Sequence, residues 1–164
     1  MQFQKINESI LIIDFGSQVT KLIARRIRDL GVHSKIVTPK EVKKIRDYSE
    51  IRGIIFSGGP SSVTKSKYES VPNHIFTKKI PILGICYGLQ LIAKLYGGKI
   101  KSSNKKREFG RTFIFKKSRS LLTKNFFSPG VAVWMSHEDA VVKLPKKFKS
   151  CLLYTSPSPR DLRK

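Results

Sequence analysis

The stretch Ile80-Pro-Ile-Leu-Gly-Ile-Cys-Tyr-Gly-Leu-Gln-Leu-Ile-Ala-Lys-Leu-Tyr-Gly-Gly98 changes period at its middle, and that change predicts a strand running into a helix. Pro81 to Ile85 is a short apolar run of the kind expected for a strand buried on both faces. From Leu89 to Tyr96 the apolar residues Leu91, Ile92 and Leu95 recur at helical spacing, and Gly97-Gly98 supplies a stop. Cys86 occupies the join. Gly84 and Gly88 flank it, where a side chain at either position would collide with a tight turn. This is the spacing of a nucleophile elbow with sulfur in place of oxygen.

The helix that follows adds an electrostatic argument. Its unpaired N–H groups and positive dipole end lie beneath Cys86 and favour an anionic sulfur, which is the attacking species. The alternative is a buried structural cysteine. Upstream, Ile10 to Ile13 reads as a first central strand, followed by a turn at Phe15-Gly16-Ser17-Gln18. A helix over Thr20 to Leu30 comes next, with Leu22, Ile23, Ile27 and Leu30 on one face. His33 to Val37 is a shorter, more polar strand, and Pro39 opens a short helix through Lys44 with Glu41 in its first turn.

Gly53 to Ser57 is a third buried strand that runs directly into Gly58-Gly59-Pro60. Strands alternating with helices imply an α/β fold, a mostly parallel central sheet with helices on both faces. Loops at the carboxyl ends of such strands make the site, so Gly58-Gly59 and Cys86 are expected on one rim. A Gly-Gly-Pro tripeptide alone is also an ordinary surface turn. Beyond the elbow helix, Lys99 to Phe115 is strand-like but interrupted.

Gly84-Ile85-Cys86-Tyr87-Gly88-Leu89-Gln90 resembles the signature of class I (triad) glutamine amidotransferases, a flavodoxin-like fold. That resemblance implies Cys86 as nucleophile and the backbone N–H groups of Gly59 and Tyr87 as oxyanion hole. Gly58 and Gln90 would help seat glutamine, Gln90 lying one helical turn beyond Cys86; spacing alone also allows a solvated helix glutamine. Arg107-Glu108-Phe109-Gly110 and Trp134-Met135-Ser136-His137 are similar to segments of the GMP synthase family, which places Ser136 and His137 on the wall of the glutamine pocket. Glu138 departs from that pattern, which carries Gly there. His137 read alone could be a base, but the resemblance gives it a pocket-wall role. His33 and His74 have no motif context and read as solvent-facing.

Such enzymes need a base and an orienting carboxylate, which in the family come from a His-Pro-Glu segment. None occurs in these 164 residues. The expected organisation is a leader at 1–9, a partial amidotransferase domain at 10–150 and an unrelated tail at 151–164. That tail, from Cys151 through two Ser-Pro steps, resembles a translated sequencing adapter; a disordered natural tail is the alternative.

The family resemblance further implies glutamine as substrate and no cofactor in this domain. Ammonia would pass to an ATP pyrophosphatase domain or subunit that uses Mg-ATP to aminate XMP to GMP, in a homodimer when full length. Other glutaminases, of the anthranilate or aminodeoxychorismate type, and a non-catalytic module remain open. The polar start, two cysteines and the lack of a long apolar run imply a cytoplasmic protein with no membrane partner. The net charge of +22 raises nucleic-acid binding, but its spread along the chain without an RNA-binding signature disfavours it.

Overall fold

The computed structural model describes residues 8–102, 108–118, 120–124, 130–137 and 139–155. They form two compact units, 1–96 and 97–164. The first unit alternates β1 (Ser9–Ile13), α1 (Thr20–Asp29), β2 (His33–Val37), α2 (Pro39–Val42), β3 (Ile51–Phe56), α3 (His74–Thr77), β4 (Ile82–Gly84) and α4 (Tyr87–Leu95). Its four strands pair in parallel in the order β2-β1-β3-β4. Leu11, Ile12 and Ile13 of the central β1 are buried, as expected of a strand covered on both sides. Ile54 and Phe56 of β3 and Leu91 of α4 join them in the core.

Two apolar assignments made from spacing are corrected. Leu22 of α1 is 51% exposed and Leu30, just past its end, 82%, and it is Thr20 and Ala24 that are buried. Leu22 lies two residues before Ala24, about 200° round the helix from it, so the small side chains make the close approach. β4 is not buried on both faces: among the described residues it pairs with β3 alone, at the edge of its sheet, and Leu83 is 40% exposed.

α2 opens at Pro39 as expected but ends at Val42 and not Lys44, and Thr38 adds a capping box in which its Oγ1 accepts from Glu41 N–H and Glu41 Oε2 accepts from Thr38 N–H at 2.7 Å. The bonds that the Glu41 carboxyl accepts from the Thr38 N–H and, at 2.9 Å, the Thr38 hydroxyl hold it below its usual range. His74, read as solvent-facing, is half-buried. Its Nε2 lies 3.2 Å from the Tyr48 hydroxyl, and the two rings meet edge to face at 5.9 Å. His33 is exposed, as read.

The second unit is antiparallel. β5 (Lys99–Ser102) pairs with β8 (Asp139–Lys143), and β6 (Glu108–Lys116) lies between β7 (Val131–His137) and β9 (Leu152–Thr155). The interruption within Lys99 to Phe115 therefore separates strands of two different sheets. β9 lies within the stretch set apart as a tail at 151–164; Leu152 to Thr155 hydrogen-bond along β6, a pairing that backbone groups supply whatever the side chains. Residues 156–164, Arg107 and Glu138 lie outside the described residues. Among those described, no helix is long and apolar enough to cross a membrane.

Candidate active site

Three parallel strands end on one rim, and their registers decide which loops meet there. β1 and β3 pair Ile13 with Phe56, which brings Asp14 alongside Ser57. β3 and β4 pair Phe56 with Gly84, so two residues further on Gly58 comes alongside Cys86. A Cβ added to Gly58 would lie 3.5 Å from the Cys86 Cβ and 3.5 Å from Ser17 Oγ. The two loops that the sequence placed on a common rim are neighbours.

Cys86 stands at the strand-to-helix join with φ 49° and ψ −112°, and it is exposed. A positive φ is costly for a residue with a side chain, and persists only where the surroundings impose it. The surroundings here are two close approaches. A Cβ on Gly84 would lie 2.6 Å from the Leu89 nitrogen, inside the turn itself. A Cβ on Gly88 would lie 2.4 Å from the Phe56 carbonyl oxygen, so Gly88 is required by β3 and not by the turn, as its spacing had suggested.

Tyr87 opens α4 and is 2% exposed. Its ring packs 5.0 Å from that of Phe15, and its hydroxyl donates to the Glu69 carbonyl at 2.6 Å. Burial, with Glu69 and Tyr68 nearby, pushes its phenol up to about 12. Gln90 is 8% exposed and its N–H donates to the Cys86 carbonyl at 3.1 Å; it is not a solvated helix glutamine. Gly59 passes so close to the preceding loop that a Cβ on it would lie 2.3 Å from the Phe15 carbonyl oxygen. Among the described residues, neither the Gly59 N–H nor the Tyr87 N–H meets an acceptor.

The first unit thus gathers Gly58, Gly59, Cys86, Tyr87 and Gln90. Ser136 and His137 are placed on β7 of the second unit, with backbones opposite Phe109 and Glu108. Sequence reasoning passed over Asp14 and Ser57. Asp14 Oδ1 accepts from Gly16 N–H at 2.9 Å, Ser17 N–H at 3.3 Å and Thr20 Oγ1 at 2.8 Å, which fixes the loop after β1. Asp-Phe-Gly-Ser directly after an apolar run carries the signal of an Asx turn. Ser57 is buried, and it reads from sequence as the last residue of a strand; nothing local distinguishes it.

Comparison with known proteins places these features. The family profile described as glutamine amidotransferase class-I matches residues 11–157. A Treponema denticola GMP synthase [glutamine-hydrolyzing] is 50% identical over 149 residues, covering 90% of this chain and 28% of the relative. The Staphylococcus carnosus enzyme of the same name is 42% identical and covers 96% of this chain and 30% of the relative. The chain therefore spans less than a third of these curated relatives. A crystal structure from Thermoplasma acidophilum, described as that of a GMP synthase subunit, superposes with TM-score 0.75 at 29% identity, covering 91% of this chain and 74% of that one. A Thermotoga maritima glutamine amidotransferase, 23% identical with TM-score 0.71, shares the fold.

Proposed function

The chain belongs to the class-I glutamine amidotransferase family, and on that footing we propose that it is the glutaminase part of a GMP synthase. The Cys86 thiolate attacks the side-chain amide carbon of glutamine. As the tetrahedral intermediate forms, negative charge grows on the amide oxygen, and the N–H groups of Gly59 and Tyr87 receive it. The C–N bond then breaks, ammonia leaves with a proton, and a γ-glutamyl thioester remains on Cys86. Water attacks that thioester, releasing glutamate and restoring the thiol. Gly58 and Gln90 help seat glutamine beside the sulfur, and by the family resemblance Ser136 and His137 contribute to glutamine binding.

Ammonia then serves an ATP pyrophosphatase domain or subunit, which uses Mg-ATP to activate XMP and converts it to GMP. The names of the curated relatives support this step. In the same reading the full-length enzyme is a cytoplasmic homodimer, and the glutaminase domain itself uses no cofactor.

The observation that carries the reading is Cys86, held exposed at positive φ against the Gly58 loop. Its test is affinity labelling of the chain with 6-diazo-5-oxonorleucine, a glutamine-like electrophile. Cys86 should be modified, Cys151 should not, and glutamine should protect. Equal labelling of both cysteines, or labelling that glutamine leaves unchanged, would overturn it.

A further inference from the structure

We infer that Ser57 is a positioning residue that aims the Gly59 N–H at the site of charge development; the inference rests on the glutaminase reading above. The Ser57 hydroxyl donates to the Gly58 carbonyl oxygen at 2.8 Å. That carbonyl and the Gly59 N–H are the two ends of one peptide group. A trans peptide is planar, with C=O and N–H pointing in opposite directions. Holding the oxygen inward to Ser57 therefore turns the Gly59 N–H outward, away from the core.

The hold is needed because of what flanks it. The peptide lies between two glycines, which resist rotation less than any other pair, so an unanchored Gly58–Gly59 unit can flip. A flip would replace the donor with a carbonyl oxygen, which repels the developing oxyanion. The hydrogen bond to the carbonyl also polarises the same amide and strengthens its N–H as a donor.

Ser57 is itself fixed from three directions. Its Oγ accepts from the Phe15 N–H at 3.0 Å, its N–H donates to the Ile13 carbonyl at 3.0 Å, and its carbonyl accepts from the Gly88 N–H at 3.1 Å. Asp14 Oδ1 lies 3.5 Å from the same hydroxyl, further than the Gly58 oxygen. One buried serine thus ties the loop after β1, the glycine loop after β3 and the first turn of the elbow helix. The Gly88 contact comes from the residue after Tyr87, so both candidate oxyanion donors are referenced to Ser57.

The test compares two reactions of the Cys86 sulfur in the full chain. A γ-glutamyl p-nitrophenyl ester acylates it: an S–C bond forms at the γ-carbonyl, the C–O bond breaks, p-nitrophenolate leaves and the thiol proton goes to solvent. That path passes through an oxyanion, and its leaving group needs no acid. Iodoacetamide alkylates the same sulfur by displacement of iodide, with no oxyanion. Ser57→Ala should slow acylation by ~10- to 100-fold, somewhat less than the loss of an oxyanion donor outright, and leave the alkylation rate unchanged. Ser57→Thr, which keeps the hydroxyl, should restore most of the acylation rate. Should the alanine variant fold poorly, Ser57→Cys keeps similar bulk with a weaker donor and should show the same split in smaller measure.

A Ser57→Ala protein that acylates at the parent rate overturns the inference, and so does one in which both reactions fall together. If the unsubstituted chain is acylated no faster at Cys86 than at Cys151, the glutaminase reading itself fails and the inference goes with it.

Discussion

Gly88 approaches the Phe56 carbonyl oxygen so closely that a Cβ on it would sit 2.4 Å away, and 2.5 Å from the Phe56 Cβ. Both atoms belong to a buried central strand, or lie next to its backbone, and cannot swing aside. Gly88→Ala should therefore destabilise the first unit by about 3 kcal/mol or more, lowering its melting temperature by roughly 10 °C or more. Gly58→Ala is the contrast, since its Cβ would meet only ordinary contacts at 3.5 Å. It should melt within a few degrees of the parent while losing glutamine protection against the electrophile. Equal melting temperatures for all three proteins would contradict the close approach.

The Tyr87 phenol gives the protein an alkaline limit. Burial pushes its pKa up from about 10 to about 12 in the folded chain, so folding favours the protonated form. That contribution is complete below pH 10 and disappears as pH rises towards 12. Urea midpoints for the parent should fall across this window, and one slow tyrosinate absorbance step should accompany the fall. Tyr87→Phe should lose the window. At neutral pH it should cost about 1 kcal/mol, because the Glu69 carbonyl loses its donor.

Lys94 pins the long loop between β3 and α3. Its ammonium donates to the Val63 carbonyl and lies 3.8 Å from the centre of the Tyr68 ring. Lys94→Met keeps the stem but removes the charge, so the loss reads the cation–π contact and the carbonyl bond together. About 1 kcal/mol of stability should go, and limited proteolysis should cut faster within residues 61–72. Unchanged cleavage would show that the loop is held elsewhere.

A polypeptide of these 164 residues should acylate without turning over. It contains His33, His74 and His137 but no His-Pro-Glu segment, so amide cleavage has no evident acid for the departing ammonia. With the activated ester, p-nitrophenolate should appear as a single burst of one equivalent per Cys86, and glutamine should yield ammonia at a rate near background. Steady ammonia release abolished by Cys86→Ser would show that another group in the chain serves as acid and base.

The elbow was legible because everything that makes it is local. Gly84, Cys86 and Gly88 lie within five residues, and a period switch marks the join between strand and helix. Leu22 and Leu30 misled because apolar spacing does not say which side of α1 the sheet will take; Thr20 and Ala24 are the smaller side chains, and the sheet took theirs. His74 carried no local signal of its bond to Tyr48, a residue 26 positions away.

From sequence alone follow the strand-to-helix turn, the nucleophile candidate and the parallel character of the first sheet, since turns and periodicities are short-range properties of the chain. Tertiary structure alone settles that β4 is an edge among the described residues, that Gly88 answers to Phe56, and that Ser57 grips the Gly58 carbonyl. The edge and the Gly88 contact depend on strand register, which brings together residues about 30 positions apart, and no local pattern encodes which partner a strand will choose. The Ser57 grip joins neighbours in the chain, yet the hydroxyl is turned that way only because the loop after β1 arrives alongside it.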